Sequence, residues 1–181
     1  MKTKKIFSAI LVTAIFLSGQ FVFSQTKKEN KLSTDNSSYN TAIGLRVGET
    51  SGATIKHFFD GNNAFEGIIG VWPYAFGLTG LYERHEKAFN TDGMRWYYGG
   101  GGHATFGTGN IYYAYYNGER RYYKYESGSL GLGIDGILGL EYKIKAIPFV
   151  VGIDVKPFLE INNSGALYIA LDPGIGIKIA F

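Results

Sequence analysis

The chain has 181 residues, 18 Lys and Arg against 15 Asp and Glu, and no cysteine. That length suits one domain, and without a thiol there is no disulfide framework, thiolate nucleophile, zinc–thiolate centre or lipoprotein anchor. The formal charge of +3 sits wholly in Lys2, Lys4 and Lys5, so the chain beyond them is balanced and carries no basic excess to favour nucleic acid.

Those three lysines precede an uncharged run from Ile6 to Phe23. Residues 1–24 are therefore expected to be a signal peptide cleaved after Ser24, with export as the consequence. Residues 25–38 are polar, rich in Lys, Ser and Asn, and expected to form a flexible periplasmic leader. No second apolar run approaches about twenty residues, so a membrane could be crossed only by strands.

Residues 39–181 divide into alternating segments at Tyr39 to Gly48, Gly52 to Phe59, Ala64 to Trp72, Phe76 to His85, Arg95 to Gly107, Leu130 to Ile144, Pro148 to Phe158 and Ala166 to Phe181. In the last, Leu167, Ile169, Leu171, Ile175, Ile177, Ile179 and Phe181 alternate with small or charged residues. A period of two ending on an aromatic predicts the closing strand of an outer-membrane barrel. A soluble lipocalin-like barrel would alternate too, with its apolar face inward. The other face decides against it: Gly131, Gly133, Asp135, Ile137, Gly139, Glu141 and Lys143 suit a narrow lumen, whereas a solvated wall has little use for glycine. The expected fold is all-β: an eight-stranded antiparallel, up-and-down transmembrane barrel. An even count puts both ends in the periplasm and the long connection between strands five and six outside.

The same parity turns Arg46, Lys56, Glu66, Glu83, Asp135, Glu141, Lys143, Asp154, Lys156, Asp172 and Lys178 inward. Five cations against six anions in a tight interior predict a salt-bridged plug, since an unpartnered buried charge costs several kcal/mol. Trp72, Trp96, Tyr98, Tyr142 and Tyr82 fall near strand ends, where interfacial girdles form. His57, His85 and His103 are the candidate catalytic bases. None has a serine two residues away on its own face, and His85 and His103 point inward. The glycine run 99–102 lacks the Lys-Ser/Thr and the helix of a phosphate loop and is expected to bend a strand at a crowded wall. No catalytic, cofactor-binding or metal-ligating residue is assigned, and no cofactor is expected.

In the long connection, Asn117-Gly118 is a strong two-residue hairpin signal. It pairs Tyr113 with Tyr122, Tyr112 with Tyr123 and Tyr115 with Arg120, and gathers Tyr112, Tyr113, Tyr115, Tyr116, Arg120, Arg121, Tyr122, Tyr123 and Tyr125 on one ribbon. Tyrosine and arginine on a rigid ribbon anchor protein and sugar interfaces. The same pattern also fits a ribbon that merely extends the barrel wall, its tyrosines stacked on one another.

The run Gly133-Ile134-Asp135-Gly136-Ile137-Leu138-Gly139-Leu140-Glu141-Tyr142-Lys143, followed by Pro148 and Asp154-Val155-Lys156-Pro157, resembles a small family of outer-membrane β-barrel proteins of Gram-negative bacteria, as does Tyr97-Tyr98-Gly99-Gly100-Gly101-Gly102-His103. The resemblance covers most of the chain beyond residue 24. It implies an eight-stranded barrel similar to the OmpX and OmpA barrel domains, in the outer membrane, with no catalytic residues to carry over. The expected role is structural or surface-interactive with a filled lumen, not enzymatic. Its partners would be outer-membrane lipid and lipopolysaccharide, the barrel-insertion machinery through the strand ending at Phe181, and a protein or glycan at the surface. An enzyme acting on lipid A or acyl chains, or a narrow solute channel, is the alternative.

Overall fold

The computed structural model describes residues 39–72, 75–108, 110–116, 119–125, 127–163, 165 and 167–181. Their strands are β1 (Thr41–Gly48), β2 (Ser51–Phe58), β3 (Asn63–Trp72), β4 (Ala75–Lys87), β5 (Met94–Gly107), β6 (Asn110–Tyr116), β7 (Glu119–Tyr125), β8 (Leu130–Lys143), β9 (Phe149–Asn162) and β10 (Leu167–Ala180). β6 and β7 form a two-stranded sheet of their own, and the other eight close into a barrel in the order β1-β10-β9-β8-β5-β4-β3-β2. All barrel pairs are antiparallel. The all-β, closed eight-stranded fold expected from the alternation is thus the fold observed.

The registers fix the barrel's shape. From Leu45 the paired residues run through Ala53, Ile69, Leu78, Ala104, Leu132 and Ile161 to Leu167 on β10, whereas Leu45 itself pairs with Ile177 on that strand, a stagger of ten residues. At about 3.3 Å per residue and 4.8 Å between strands, that stagger tilts the strands by about 40°. A barrel of this size has an interior filled by side chains.

Which side chains fill it inverts the usual order. Leu45, Ile69, Leu78, Leu132, Ile161 and Leu167 are all exposed on the outer wall, while Lys56, Lys156, Glu83 and Asp172 are fully buried inside. Pro157 and Pro173 also sit on the outer row. β9 runs four residues beyond the predicted Phe158, because Leu159 and Ile161 continue outward and Glu160 and Asn162 inward in unbroken alternation. The turns hold themselves. Asp60 accepts the side-chain amide of Asn63 at 2.7 Å and the backbone N–H groups of Asn62 and Asn63, which keeps its carboxyl below the usual range. Asp92 likewise takes Lys87 at 2.9 Å and Lys145 at 3.2 Å, tying the β4–β5 turn to the β8–β9 turn, and its carboxyl is also held low.

Candidate functional site: the ionic interior

The lumen is layered. At the end carrying both barrel termini, Tyr39, Phe58, Ala42, Ala64, Val150 and Ala180 form an apolar cap. Above it lies a first ionic group. Lys56 Nζ stands 2.7 Å from Glu83, 3.0 Å from Glu66 and 3.4 Å from Glu141, and over the Tyr97 ring at 4.1 Å. His85 lies between Glu83, 3.0 Å from Nε2, and Glu141, 3.3 Å from Nδ1, and stacks on Tyr97. Lys178 meets Glu66 at 2.7 Å, Thr54 donates to Glu66, and Tyr39 donates its hydroxyl to Glu141 at 3.0 Å. Ile68, Leu81, Tyr97 and Ile137 pack as a middle layer.

Towards the opposite end is a second group. Arg46 donates to Asp154 at 2.7 Å, to both oxygens of the Asp172 carboxylate at 3.1 Å, and to the carbonyls of Thr50 and Asp172. Lys156 bridges Asp135 at 2.9 Å and Asp172 at 3.4 Å. His103 sits between Asp135, 2.8 Å from Nδ1, and Glu160, 3.1 Å from Nε2, and Thr105 donates to Glu160 at 2.8 Å. The Tyr97 hydroxyl reaches Asp154 at 3.4 Å and links the two groups. Ala75, Ala170, Trp72, Phe158 and Tyr168 close the mouth above.

All eleven charged residues named from parity lie on this inner face. Lys143 differs in kind, capping the barrel end by donating to the carbonyls of Ile144 and Ile147. Sequence reading missed Glu160, because the strand was ended at Phe158. It also missed the role of Tyr97. Counting Glu160, seven carboxylates and five Lys and Arg are buried on the inner face among the described residues, and Arg95 lies half-buried at its end over the Phe58 ring. Nε2 of His85 and both ring nitrogens of His103 lie within 3.1 Å of carboxylate oxygens, while Nδ1 of His85 stands 3.3 Å from Glu141 without a hydrogen bond.

Trp72 departs from the girdle expectation. It shares the inward row with Glu66, Ile68 and Gly70, and its ring lies over Gly70 and Gly77 in the mouth. Trp96, Tyr98 and Tyr82 do face outward. His57 is also outward and bonds Thr41 at 2.8 Å. Glycines make the room for the bulky inward groups. Gly139 lies under the Tyr97 ring, Gly133 under His103, Gly131 under Thr105 and Glu160, and Gly174 under the Arg46 guanidinium. A cavity of about 10 Å³ lies inside between Arg46, Tyr97, Glu141 and Lys178, room for about one water.

In the β5–β8 connection, Tyr112 pairs with Tyr123, Tyr113 with Tyr122 and Tyr115 with Arg120, while Tyr116 pairs with Glu119, Ala114 with Arg121 and Asn110 with Tyr125. The Asn117-Gly118 turn lies outside the described residues, as do residues 1–24, expected to be a signal peptide, and residues 25–38, the expected leader. Among the described residues no three His, Asp or Glu side chains are arranged to hold a metal ion.

The geometry defines a small closed antiparallel β-barrel with an apolar outer wall and an ion-paired interior. Compared with known proteins, the chain matches no family model, no curated protein and no solved structure.

Proposed function

We propose that the chain is an integral outer-membrane β-barrel of a Gram-negative bacterium, exported through a cleaved signal peptide, with a filled, non-conducting lumen and a structural or surface-interaction role. The observation that carries this is the inverted polarity of the wall. Ile175 is 66 %, Ile134 66 % and Ile69 63 % exposed, on three different strands. An exposed apolar area that continues round the barrel exceeds the few hundred Å² a soluble monomer usually shows, and lipid is the surrounding that removes its cost. With eight strands and both ends in the periplasm, the β6–β7 hairpin stands outside.

Two apolar caps, the two ion-paired groups between them and a cavity of about 10 Å³ support a lumen closed to solutes. The histidines support a non-enzymatic role. His85 and His103 are buried on the inner face, away from the outer wall that lipid would contact. Lipopolysaccharide and outer-membrane lipid would contact the wall, and the insertion machinery the strand ending at Phe181.

The protein should fractionate with the outer membrane and shift mobility on boiling in a detergent gel. In planar bilayers it should not conduct. Leu138→Arg, on the outer row, should cost roughly 2 to 4 kcal/mol of folding stability in lipid. Recovery as a soluble periplasmic protein without a heat shift, or full tolerance of Leu138→Arg, would overturn the membrane reading.

A further inference from the structure

We propose that one face of the β6–β7 hairpin is a docking surface for a linear acidic polysaccharide. The inference rests on the surface-interaction reading and names its partner class. Successive residues of a strand belong to opposite faces, so the register sorts the ribbon. One face carries Ile111 with Lys124, Tyr113 with Tyr122, and Tyr115 with Arg120; the other carries Asn110 with Tyr125, Tyr112 with Tyr123, Ala114 with Arg121, and Tyr116 with Glu119. The first face therefore holds three tyrosines and two cations and no acid. The second holds four tyrosines, and its one cation shares the face with Glu119.

Along the first face of β7 the order is Lys124, Tyr122, Arg120: cation, ring, cation. The two cations are four residues apart, about 13 Å along an extended strand. A chain of sugar rings bearing carboxylates presents the complement, an apolar ring face for stacking between anionic groups that Arg and Lys hold with charge-assisted hydrogen bonds. The pattern tolerates sequence variation in the ligand because each ring offers a similar face, as aromatic and cationic platforms do for other linear polyanions. A peptide adding a strand to the hairpin edge would use main-chain groups and would not require the cations to be segregated on one face. In addition, a lone two-stranded sheet is marginal by itself and is stabilised by a ligand laid across its strands.

The test uses the full chain folded in detergent micelles, titrated calorimetrically with polygalacturonate, with neutral dextran and with polyglutamate. Polygalacturonate should bind, more weakly as salt rises. Arg120→Gln with Lys124→Gln should lose about tenfold or more in affinity, the worth of two charge-assisted contacts, while Arg121→Gln should leave it almost unchanged. Equal binding of dextran would reduce the face to an aromatic patch, and equal binding of polyglutamate would make the partner an acidic protein. An Arg121→Gln loss as large as the double variant's would place the site on the other face. Each of these overturns the proposal. If nothing binds but trypsin added to whole cells still cuts at Arg120 or Arg121, the polysaccharide inference fails and the surface reading stands. If the hairpin is also protected in intact cells, both fail.

Discussion

Lys56→Met should destabilise the barrel by roughly 3 to 5 kcal/mol, the cost of breaking a buried charge network by removing one partner. Lys56 is fully buried, and its ammonium is shared by Glu66, Glu83 and Glu141 within 3.4 Å. Methionine preserves most of the volume and removes only the charge. Three carboxylates then converge on an apolar side chain, with Lys178 and His85 the nearest compensating groups. The measurement is the urea midpoint of the heat-modifiable band in micelles. The control is Lys145→Met on the exposed rim, where an ion pair is worth under about 1 kcal/mol and little should change. Adding Glu83→Gln to Lys56→Met should recover part of the loss, because it removes one of the orphaned charges. If Lys56→Met folds as well as the parent, and the double variant gains nothing, the interior network is not what holds these strands together.

Much of this interior is legible in the sequence because a strand's side chains alternate without exception. Parity alone turns Arg46, Asp154 and Asp172 inward. It cannot say that they meet, since they come together across 108 and 126 residues of chain, and which inward residues share a level depends on the stagger summed round the ring. The same limit hides the end caps. Trp72, Phe158 and Tyr168 lie on three strands and become a cluster only after closure, so a tryptophan at a strand end reads as a girdle residue. Glu160 was obscured for a local reason. Pro157 and the asparagines at 162 and 163 resemble a strand end, yet on the outer row a proline costs at most one ladder bond, and β9 continues to Asn162.

Glycines separate what the barrel wall needs from what it tolerates. Gly101→Ala should destabilise by more than about 4 kcal/mol, in the range reserved for severe main-chain conflict. A Cβ there would overlap the carbonyl oxygen of Gly80 on the paired strand, and that atom cannot move without opening the β4–β5 ladder. Gly139→Ala meets a side chain instead, the Tyr97 ring, which is itself wedged between Lys56 and His85. Its cost should be about 1 to 3 kcal/mol, typical of overpacking. Combined with Tyr97→Leu, which withdraws the obstructing ring, it should cost less than the two single changes added together. Gly80→Ala provides the opposite case. Its Cβ would meet no other atom within 4 Å on the outer wall, so replacing glycine in a strand should be neutral or stabilising by about 0.5 to 1 kcal/mol. Unfolding midpoints of the three variants should therefore order as Gly80→Ala, then Gly139→Ala, then Gly101→Ala. A Gly101→Ala barrel as stable as Gly80→Ala would mean that β4 and β5 do not approach as closely as their register requires, and the ten-residue stagger that sets the lumen's width would have to be revised with it.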